Sequence, residues 1–375
     1  MRHSRSPVKP MRAVPPRIRR LTLPQGRRII AISDVHGNLA YLRGLLEKVR
    51  FSTDDVLILV GDLLEKGPQS LDTLRYVIGL AKTHEIHMVS GNCDWWVPLM
   101  FEVGPLEGNL WYINNKPYCL ARQMCAELGI PVTHDMDYIA MRDTLAVHYK
   151  EEFDFLRAMP EIIETEHYVF VHGGLPEGDP DSWDAWHCMK YDNFLRETPR
   201  HFNKWVIVGH WPVMLYRENI VCASPVFDRE KKIISIDGGC VLKDDGQLNA
   251  LIIPFDGSED FSVISYDPFP TATVLEAQAA SEQSWYIRWG DNRVEVLEQG
   301  EEFSRIRHRR TGYEMEVLTK YLYEEAGELK VNDCTDYALP LSPGDTVSIV
   351  ESCSRGYFVK HNGVSGWYLG TLEKD

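Results

Sequence analysis

The most constraining feature of this chain is a pattern that occurs five times, in which a short apolar run ends in a glycine and a side chain able to bind a metal. In the first case, residues 29–32 (Ile-Ile-Ala-Ile) are followed by Asp34, His36 and Gly37. A short β-branched run bounded by turn residues is typical of a buried strand. Functional side chains of open α/β sheets gather at the carboxyl ends of their strands. A single Asp-x-His-Gly sequence is more often a capped loop than a metal site, so its recurrence is what gives it weight.

The other four apolar runs end in the same way, in Gly61-Asp62, Gly91-Asn92, His172-Gly173 and Gly209-His210. Amphipathic segments at 39–49 and 69–84 separate the first three runs and have helical spacing. The resulting order β-α-β-α-β predicts parallel neighbouring strands joined by right-handed crossovers. The carboxyl ends of these strands would then lie at one edge.

The strand-end side chains are oxygen and imidazole ligands, namely Asp34, His36, Asp62, Asn92, His172 and His210. Such a set suits Mn²⁺, Fe or Zn²⁺ better than Mg²⁺ or Ca²⁺. Six ligands are more than one structural zinc takes, but they suit two divalent metal ions that share a carboxylate. Two metals roughly 3.5–4 Å apart can activate a water and hold both oxygens of an in-line displacement at phosphorus. The sequence therefore predicts a dinuclear site for phosphate ester chemistry.

These motifs resemble the calcineurin-like metallophosphoesterases, and within them the phosphoprotein-phosphatase branch. That branch includes bacterial serine/threonine phosphatases and symmetrical diadenosine-tetraphosphate hydrolases. The runs Phe155-Leu156-x-x-Met159-Pro160 and 171–176 (Val-His-Gly-Gly-Leu-Pro) match it well. The resemblance covers about residues 28–255 and implies an α+β fold, a four-layer α/β/β/α sandwich.

The resemblance also implies which residues hold each metal and how the enzyme works. One metal would be held by Asp34, His36 and Asp62. The other would be held by Asp62, Asn92, His172 and His210, so that Asp62 bridges the two. Manganese is the metal we expect first, and a metal-bridged hydroxide would attack the phosphorus of a phosphoprotein, a nucleotide or a dinucleoside polyphosphate.

Four further candidates come from positions around these motifs. The branch usually has a histidine where this chain has Cys93, and that histidine protonates the leaving group; a thiol can donate a proton but is a weaker hydrogen-bond donor. Glu65 stands where an aspartate would orient that histidine. Lys66 stands where an arginine would clamp phosphate, and it keeps the charge but loses the bidentate geometry. Asp94 completes a Gly-Asn-Cys-Asp run that is common in small phosphodiesterases of another calcineurin-like branch, so Cys93 does not by itself indicate an inactive protein.

Composition and repeats divide the chain into three predicted parts: a basic disordered tail at 1–27, a metallophosphoesterase domain at 28–266 with a helical insertion at 95–150, and a C-terminal β domain at 285–375. In the last part, residues 290–323 and 343–375 read as two copies of one alternating strand pattern. The second copy resembles bacterial SH3-like barrels through Gly366-Trp367. Such a region would bind a peptide, a glycan or the catalytic domain itself, or would serve as a packing partner in an oligomer.

The remaining composition limits partners and location. The formal net charge is −15, although residues 1–28 contain nine basic and no acidic side chains, so we do not expect nucleic acid as a partner. The N-terminus lacks the apolar core of a signal peptide and no apolar run could span a bilayer, so we expect a cytoplasmic protein. The eight scattered cysteines form no CxxC pair and suggest no disulfide framework. Two alternatives stay open: a catalytically weak, metal-bound scaffold that acts through its SH3-like region, and RNA binding through the basic tail.

Overall fold

The computed structural model describes residues 14–95 and 106–374. Residues 1–13 of the predicted tail and 96–105 of the predicted insertion lie outside the described residues. In the described part none of the helices combines the length and apolar character that crossing a bilayer would require. The eight cysteines all lie within it, and none is in a disulfide.

Twelve strands come before residue 270: β1 (Ile18–Arg20), β2 (Ile29–Ile32), β3 (Val56–Val60), β4 (Glu85–Val89), β5 (Ile162–Glu164), β6 (Tyr168–Val171), β7 (Trp205–Val208), β8 (Val221–Cys222), β9 (Val226–Asp228), β10 (Ile233–Ser235), β11 (Leu248–Ile253) and β12 (Ser262–Tyr266). Eleven of them form two sheets, with the orders β12-β11-β2-β3-β4 and β1-β5-β6-β7-β10-β9. Strands β2, β3 and β4 are parallel, as are β6, β7 and β10.

The strands bury both faces because the two sheets pack on each other and each also carries an outer layer. In β2, Ile29 and Ala31 belong to the apolar cluster between the sheets, whereas Ile30 and Ile32 belong to the cluster under the helices. This follows from the two-residue period of a strand, and it explains why the run is continuously apolar. The continuously apolar sequence of β2 is therefore consistent with a strand that is covered on both faces.

The outer layers contain the eight α-helices whose bounds fall entirely within the described ranges: α1 (Leu39–Lys48), α2 (Ser70–Ala81), α3 (Leu106–Asn115), α4 (Leu120–Glu127), α5 (Tyr138–His148), α6 (Lys150–Ala158), α7 (Ala185–Met189) and α8 (Phe194–Glu197). Helices α1, α2 and α4 to α6 share a core cluster with the first sheet, and α7 and α8 lie on the side of the second. The layers are thus helix, sheet, sheet, helix, which is the four-layer α/β/β/α arrangement that was predicted. Helices α3 to α5 lie within the predicted insertion.

The prediction that residues 1–27 are a disordered tail is wrong for residues 18–20, which form a strand. β1 pairs in parallel with β5, and Arg17 binds Glu161 through both its backbone amide and its guanidinium, each at 2.7 Å. Glu161 is 2% exposed, so this pairing satisfies a buried carboxylate. Residues 18–20 are therefore an edge strand, whose two consecutive arginines concealed it in the sequence.

The C-terminal region is rich in sheet, as expected, but its boundaries differ from those predicted. Its strands are β13 (Thr271–Val274), β14 (Tyr286–Ile287), β15 (Val294–Glu298), β16 (Phe303–His308), β17 (Glu314–Leu318), β18 (Leu322–Glu325), β19 (Glu328–Val331), β20 (Cys334–Thr335), β21 (Thr346–Cys353), β22 (Gly356–His361), β23 (Val364–Tyr368) and β24 (Leu372–Lys374). β13 lies before the predicted start at 285, and it joins the C-terminal sheet because Ala272 and Val274 are buried in that sheet's core.

The predicted repeats each contain a three-stranded antiparallel unit, β15-β16-β17 in one and β21-β22-β23 in the other. The larger sheet has the order β24-β13-β21-β22-β23-β8, so its last strand comes from the phosphoesterase part of the chain. The resemblance to SH3-like barrels stays a prediction.

Candidate metal centre

The six predicted ligands all follow the carboxyl ends of parallel strands. β2, β3 and β4 lead to Asp34 and His36, Asp62, and Asn92, and the second sheet supplies His172 after β6 and His210 after β7. Backbone hydrogen bonds join the loops: the amide of Asp34 donates to Gly61 O at 3.0 Å, and that of His36 donates to Asp62 O at 3.0 Å. The loops after β2 and β3 therefore fix each other.

Several of these residues adopt a backbone conformation that non-glycine residues seldom adopt. The φ angles are 57° for Asp34, 50° for His36, 51° for Asp62 and 66° for His210. Such left-handed conformations persist only where the surrounding structure over-determines them, and they cluster at functional sites. Gly61, at φ 80°, allows the close approach of His172, since a Cβ there would lie 2.6 Å from His172 Nδ1.

Two groups of candidate ligands meet at Asp62. His172 Nε2 lies 3.3 Å from Asp62 Oδ1, and His36 Nε2 lies 3.8 Å from Asp62 Oδ2. His36 Nε2 is also 3.7 Å from Asp34 Oδ1. The ligand atoms of Asp34, Asp62 and His172 lie within 4.8 Å of one another, and so do those of His36, Asp62 and Cys93. Asp62 thus belongs to both groups.

Three atoms of the predicted ligands are buried and have no hydrogen-bond partner among the described residues. Asp34 Oδ1, Asn92 Oδ1 and His172 Nε2 are all in this state. A buried polar atom that lacks a partner costs about 1–3 kcal/mol. Divalent cations would satisfy these oxygen and nitrogen atoms together, so the residues present fit a metal site.

The other nitrogen atoms of the imidazoles are oriented by backbone carbonyls. His172 Nδ1 lies 2.9 Å from Val60 O, and His36 Nδ1 lies 3.3 Å from Leu64 O. An imidazole that donates from Nδ1 to a carbonyl presents Nε2 as an acceptor, and this is the usual outer support of a metal-binding histidine. Both Nε2 atoms point to Asp62.

His210 approaches the cluster from the second sheet but belongs to neither of the two ligand groups. Its ring centroid lies 5.2 Å from that of His172, and its amide donates to Asp34 Oδ2 at 3.0 Å. Its Nε2 lies 2.8 Å from Asp192 Oδ1. Asp192 is a contact that sequence reasoning missed, because it lies in a loop outside the strand-end pattern.

The electrostatics of the cluster are set by burial. Burial, with the neighbouring Asp62 charge, raises the pKa of Asp34 to about 6. Burial lowers the pKa of His36 to about 3, which favours the neutral imidazole. Burial would also lower the pKa of His172, but the Asp62 and Asp34 carboxylates raise it to about 9. Acidic groups are therefore packed closely in a place where added positive charge stabilises them.

The four further candidates lie in the two loops next to this cluster, after β3 and β4. The Cys93 amide donates to Asp62 Oδ1 at 2.8 Å, and burial raises the pKa of its thiol well above the usual range. Lys66 Nζ lies 3.3 Å from His36 Nε2. Asp94 accepts hydrogen bonds from the amides of Leu64 at 3.1 Å and Gly91 at 3.0 Å, so it fastens the two loops together.

Glu65 is directed away from the metal ligands. It is buried and accepts hydrogen bonds from the Tyr112 hydroxyl at 2.6 Å and from the Leu120 amide at 2.9 Å. Both donors belong to the helical insertion. The side chain therefore joins that insertion to the loop that contains Asp62.

Asp237 is a site residue that sequence reasoning did not assign. It follows β10 and is fully buried; its Oδ1 accepts from the Gly239 amide at 2.8 Å, while its Oδ2 has no partner in the described part of the chain. Burial and the nearby Asp34 raise its pKa well above the usual range. Its position after an apolar strand, Ile-Asp-Gly-Gly, was the available signal.

A family model described as calcineurin-like phosphoesterase matches residues 27–234, which is more than half of the 375-residue chain. The chain is 43% identical over 186 residues to a symmetrical bis(5'-nucleosyl)-tetraphosphatase of Pasteurella multocida, covering 45% of this chain and 52% of that protein. It is 48% identical over 109 residues to the protein of the same name from Buchnera aphidicola subsp. Baizongia pistaciae, covering 29% of this chain and 34% of that protein. In both cases the chain spans less than two thirds of the relative's length.

Among solved structures, a crystal structure of a candidate diadenosine tetraphosphatase covers 68% of this chain and 99% of its own, with a TM-score of 0.44 and 20% sequence identity.

Proposed function

The chain belongs to the calcineurin-like phosphoesterase family, and we propose that it hydrolyses phosphate esters with two divalent metal ions. The observation that carries the proposal is the set of buried ligand atoms around Asp62. One metal would be held by Asp34, His36 and Asp62, and the other by Asp62, Asn92, His172 and His210. Such ions, when bound, activate the attacking water and offset the charge that develops on the phosphoryl group.

The side chains of the protein have distinct supporting roles in this proposal. Lys66 supplies a positive charge beside His36, where it would attract the phosphoryl oxygens of the substrate. Cys93 retains its proton because burial disfavours the thiolate, and the same raised pKa makes it a weak acid toward the leaving oxygen. Asp94 and Glu65 hold the loops of Asp62 and Cys93 in position.

We infer that the substrate is a dinucleoside polyphosphate or a related nucleotide rather than a phosphoprotein. The names of the relatives support this choice, since both are tetraphosphatases of dinucleosides. The Gly-Asn-Cys-Asp run at 91–94, which is common in small phosphodiesterases, also favours a phosphodiester or polyphosphate over a phosphoprotein. Manganese and a cytoplasmic location belong to the same proposal.

The test is metal-dependent turnover measured on three substrates with Mn²⁺ present: an aryl phosphomonoester, the bis-aryl diester, and diadenosine tetraphosphate. We expect the tetraphosphate to give the largest kcat/KM. A larger kcat/KM on the aryl phosphomonoester would instead favour a phosphoprotein as the substrate. Asp62→Asn serves as the blank, and turnover that survives this substitution would overturn the dinuclear assignment.

A second candidate is the catalytically weak scaffold, which the presence of Cys93 favours. Cys93→His separates the two functions. A gain of about 100-fold or more on aryl phosphates would mean that only proton donation is weak in the natural protein. No gain, with two metals bound as counted by elemental analysis, would favour a scaffold.

The C-terminal region has an intramolecular partner in this proposal. Lys360, with 3% of its side chain exposed, pairs with Asp267 at 2.9 Å, and β23 pairs with β8. These contacts support the proposal that the C-terminal region packs against the phosphoesterase part of the same chain. A peptide partner would have to use another face.

A further inference from the structure

His210 is oriented differently from the other two histidines of the candidate metal centre. His36 and His172 lie against backbone carbonyls through Nδ1. His210 contacts a side chain instead, since its Nε2 lies 2.8 Å from Asp192 Oδ1. An ionised carboxylate can only accept a hydrogen bond, so in the neutral imidazole Nε2 carries the proton and Nδ1 keeps the lone pair. In this tautomer Nδ1 is the nitrogen that can bind a metal.

The loop that contains Asp192 packs on the turn that directly follows His172. The amide of Gly173 donates to Cys188 O at 2.8 Å. A Cβ on Gly173 would lie 2.6 Å from Tyr191 N, so the absence of a side chain there allows the loop to approach this closely. The carboxylate is therefore placed by the same turn that follows a proposed metal ligand.

A neighbouring cation and partial exposure to solvent set the state of Asp192. Lys190 Nζ lies 3.2 Å from Asp192 Oδ1, the same oxygen that faces His210, and a nearby cation favours the ionised carboxylate. The Asp192 side chain is 52% exposed, whereas that of His210 is 8% exposed. The contact thus joins a buried imidazole to a carboxylate at the surface, and this carboxylate can be changed without disturbing the protein core.

We propose that Asp192 is a positioning residue, which holds His210 in the tautomer and orientation in which Nδ1 binds one of the two metal ions. A carboxylate that accepts from the other ring nitrogen also raises the basicity of a metal-binding histidine. The inference rests on the proposed function, since His210 is a metal ligand only in that proposal. It deepens the proposal by giving one of the two ions a support that lies outside the strand-end motifs.

The first measurement is made on the full chain without metal. The nitrogen-15 NMR signals of the His210 ring, identified by their absence in a His210→Gln variant, show which ring nitrogen carries the proton. We expect the proton on Nε2 in the natural protein. Asp192→Asn should lose this preference, because a carboxamide can donate as well as accept. A proton on Nδ1 in the natural protein, or the same tautomer in both proteins, would overturn the proposal.

The second measurement is a calorimetric titration of the full chain with Mn²⁺. We expect Asp192→Asn to weaken the binding of one ion by about 10- to 100-fold and to leave the dissociation constant of the other unchanged. Asp192→Glu keeps a carboxylate and should recover part of this loss. A general loss of structure would instead weaken both ions alike, and that result would also overturn the proposal.

The matched control is Asp181→Asn, which removes an exposed carboxylate from the connection between β6 and α7. It makes the same change of charge and should alter neither the His210 tautomer nor the two dissociation constants. A natural protein that binds fewer than two ions would contradict the proposed function. Two bound ions whose dissociation constants are unchanged in Asp192→Asn would contradict this inference alone, so the two failures are distinguishable.

Discussion

The two edges of the sheets differ in whether their polar and charged groups have partners among the described residues. At the amino-terminal edge of the parallel strands, a cavity of about 720 Å³ is lined by Arg20, Glu164, His167, Lys204 and Asp256 among others. There Glu164 accepts from Lys204 at 2.8 Å and from Arg20 at 3.1 Å, and His167 lies 3.4 Å from Asp256. At the carboxyl edge, buried oxygen and nitrogen atoms lack partners. A ligand is needed where buried atoms of the described residues are left unsatisfied, which is the carboxyl edge and not the cavity at the amino-terminal edge.

The largest effect expected from this contrast is on catalysis. Asp62→Asn removes the carboxylate shared by both groups, and we expect kcat/KM for the preferred phosphoester to fall more than about 100-fold, beyond what loss of an outer supporting residue causes. Glu164→Gln, at the opposite edge, should leave kcat/KM unchanged. Comparable losses in both variants would remove the functional distinction between the edges.

The next effect is on thermal stability. Binding of Mn²⁺ at 100 times its dissociation constant stabilises the folded state by about 2.7 kcal/mol, and so should raise the unfolding temperature of this 375-residue protein by about 3 °C. Calorimetric scans with Mn²⁺ and with a chelator measure this shift. The Glu164→Gln variant should retain it and Asp62→Asn should lose most of it; an equal shift in both variants would place the metal elsewhere.

A smaller effect concerns the helical insertion. Glu65→Ala leaves the Leu120 amide and the Tyr112 hydroxyl without the carboxylate that accepts from both, and we expect it to lower the free energy of unfolding by about 2 kcal/mol. Urea titration measures the change. Tyr112→Phe removes one donor together with its bond and should cost about 1 kcal/mol. An alanine variant no less stable than the phenylalanine variant would show that Glu65 does not anchor the insertion.

The smallest effect is at the amino-terminal edge itself. Glu164 and Lys204 are partly exposed, so Glu164→Gln should cost less than about 1 kcal/mol, and less still at high salt. The hydrogen bond from Lys204 holds the pKa of Glu164 below its usual range. The stabilisation is therefore complete above the ordinary glutamate pKa and is lost as the pH falls through the lowered one. A difference in unfolding temperature between the two proteins that grew on acidification would contradict this.

The candidate metal ligands could be predicted because each one is marked by a local sequence pattern, an apolar strand followed by a turn. Asp237 has the same local signal, since it follows an apolar strand and precedes two glycines. Asp192 has no such local signal: its loop is brought to His210 by the packing of the second sheet.

The parts that escaped prediction are short strands whose partners are distant in the sequence. β1 has three residues and depends on β5, and β8 has two residues and depends on β23. β13 follows Pro268 and Pro270, which interrupt the strand pattern, so its four residues carry little local strand signal. Strand pairing of this kind is decided by tertiary contacts rather than by local propensity.

The pairing of β8 with β23 has a consequence for how this protein can be made and inherited. A chain that stopped after the phosphoesterase part would present β8 as an unpaired edge, and a separately produced C-terminal part would present β23 in the same way. Exposed edges of this kind invite association with other chains. A premature stop codon in this stretch would therefore yield one aggregation-prone fragment and a split gene would yield two, so we expect the two parts to be translated and folded as one chain.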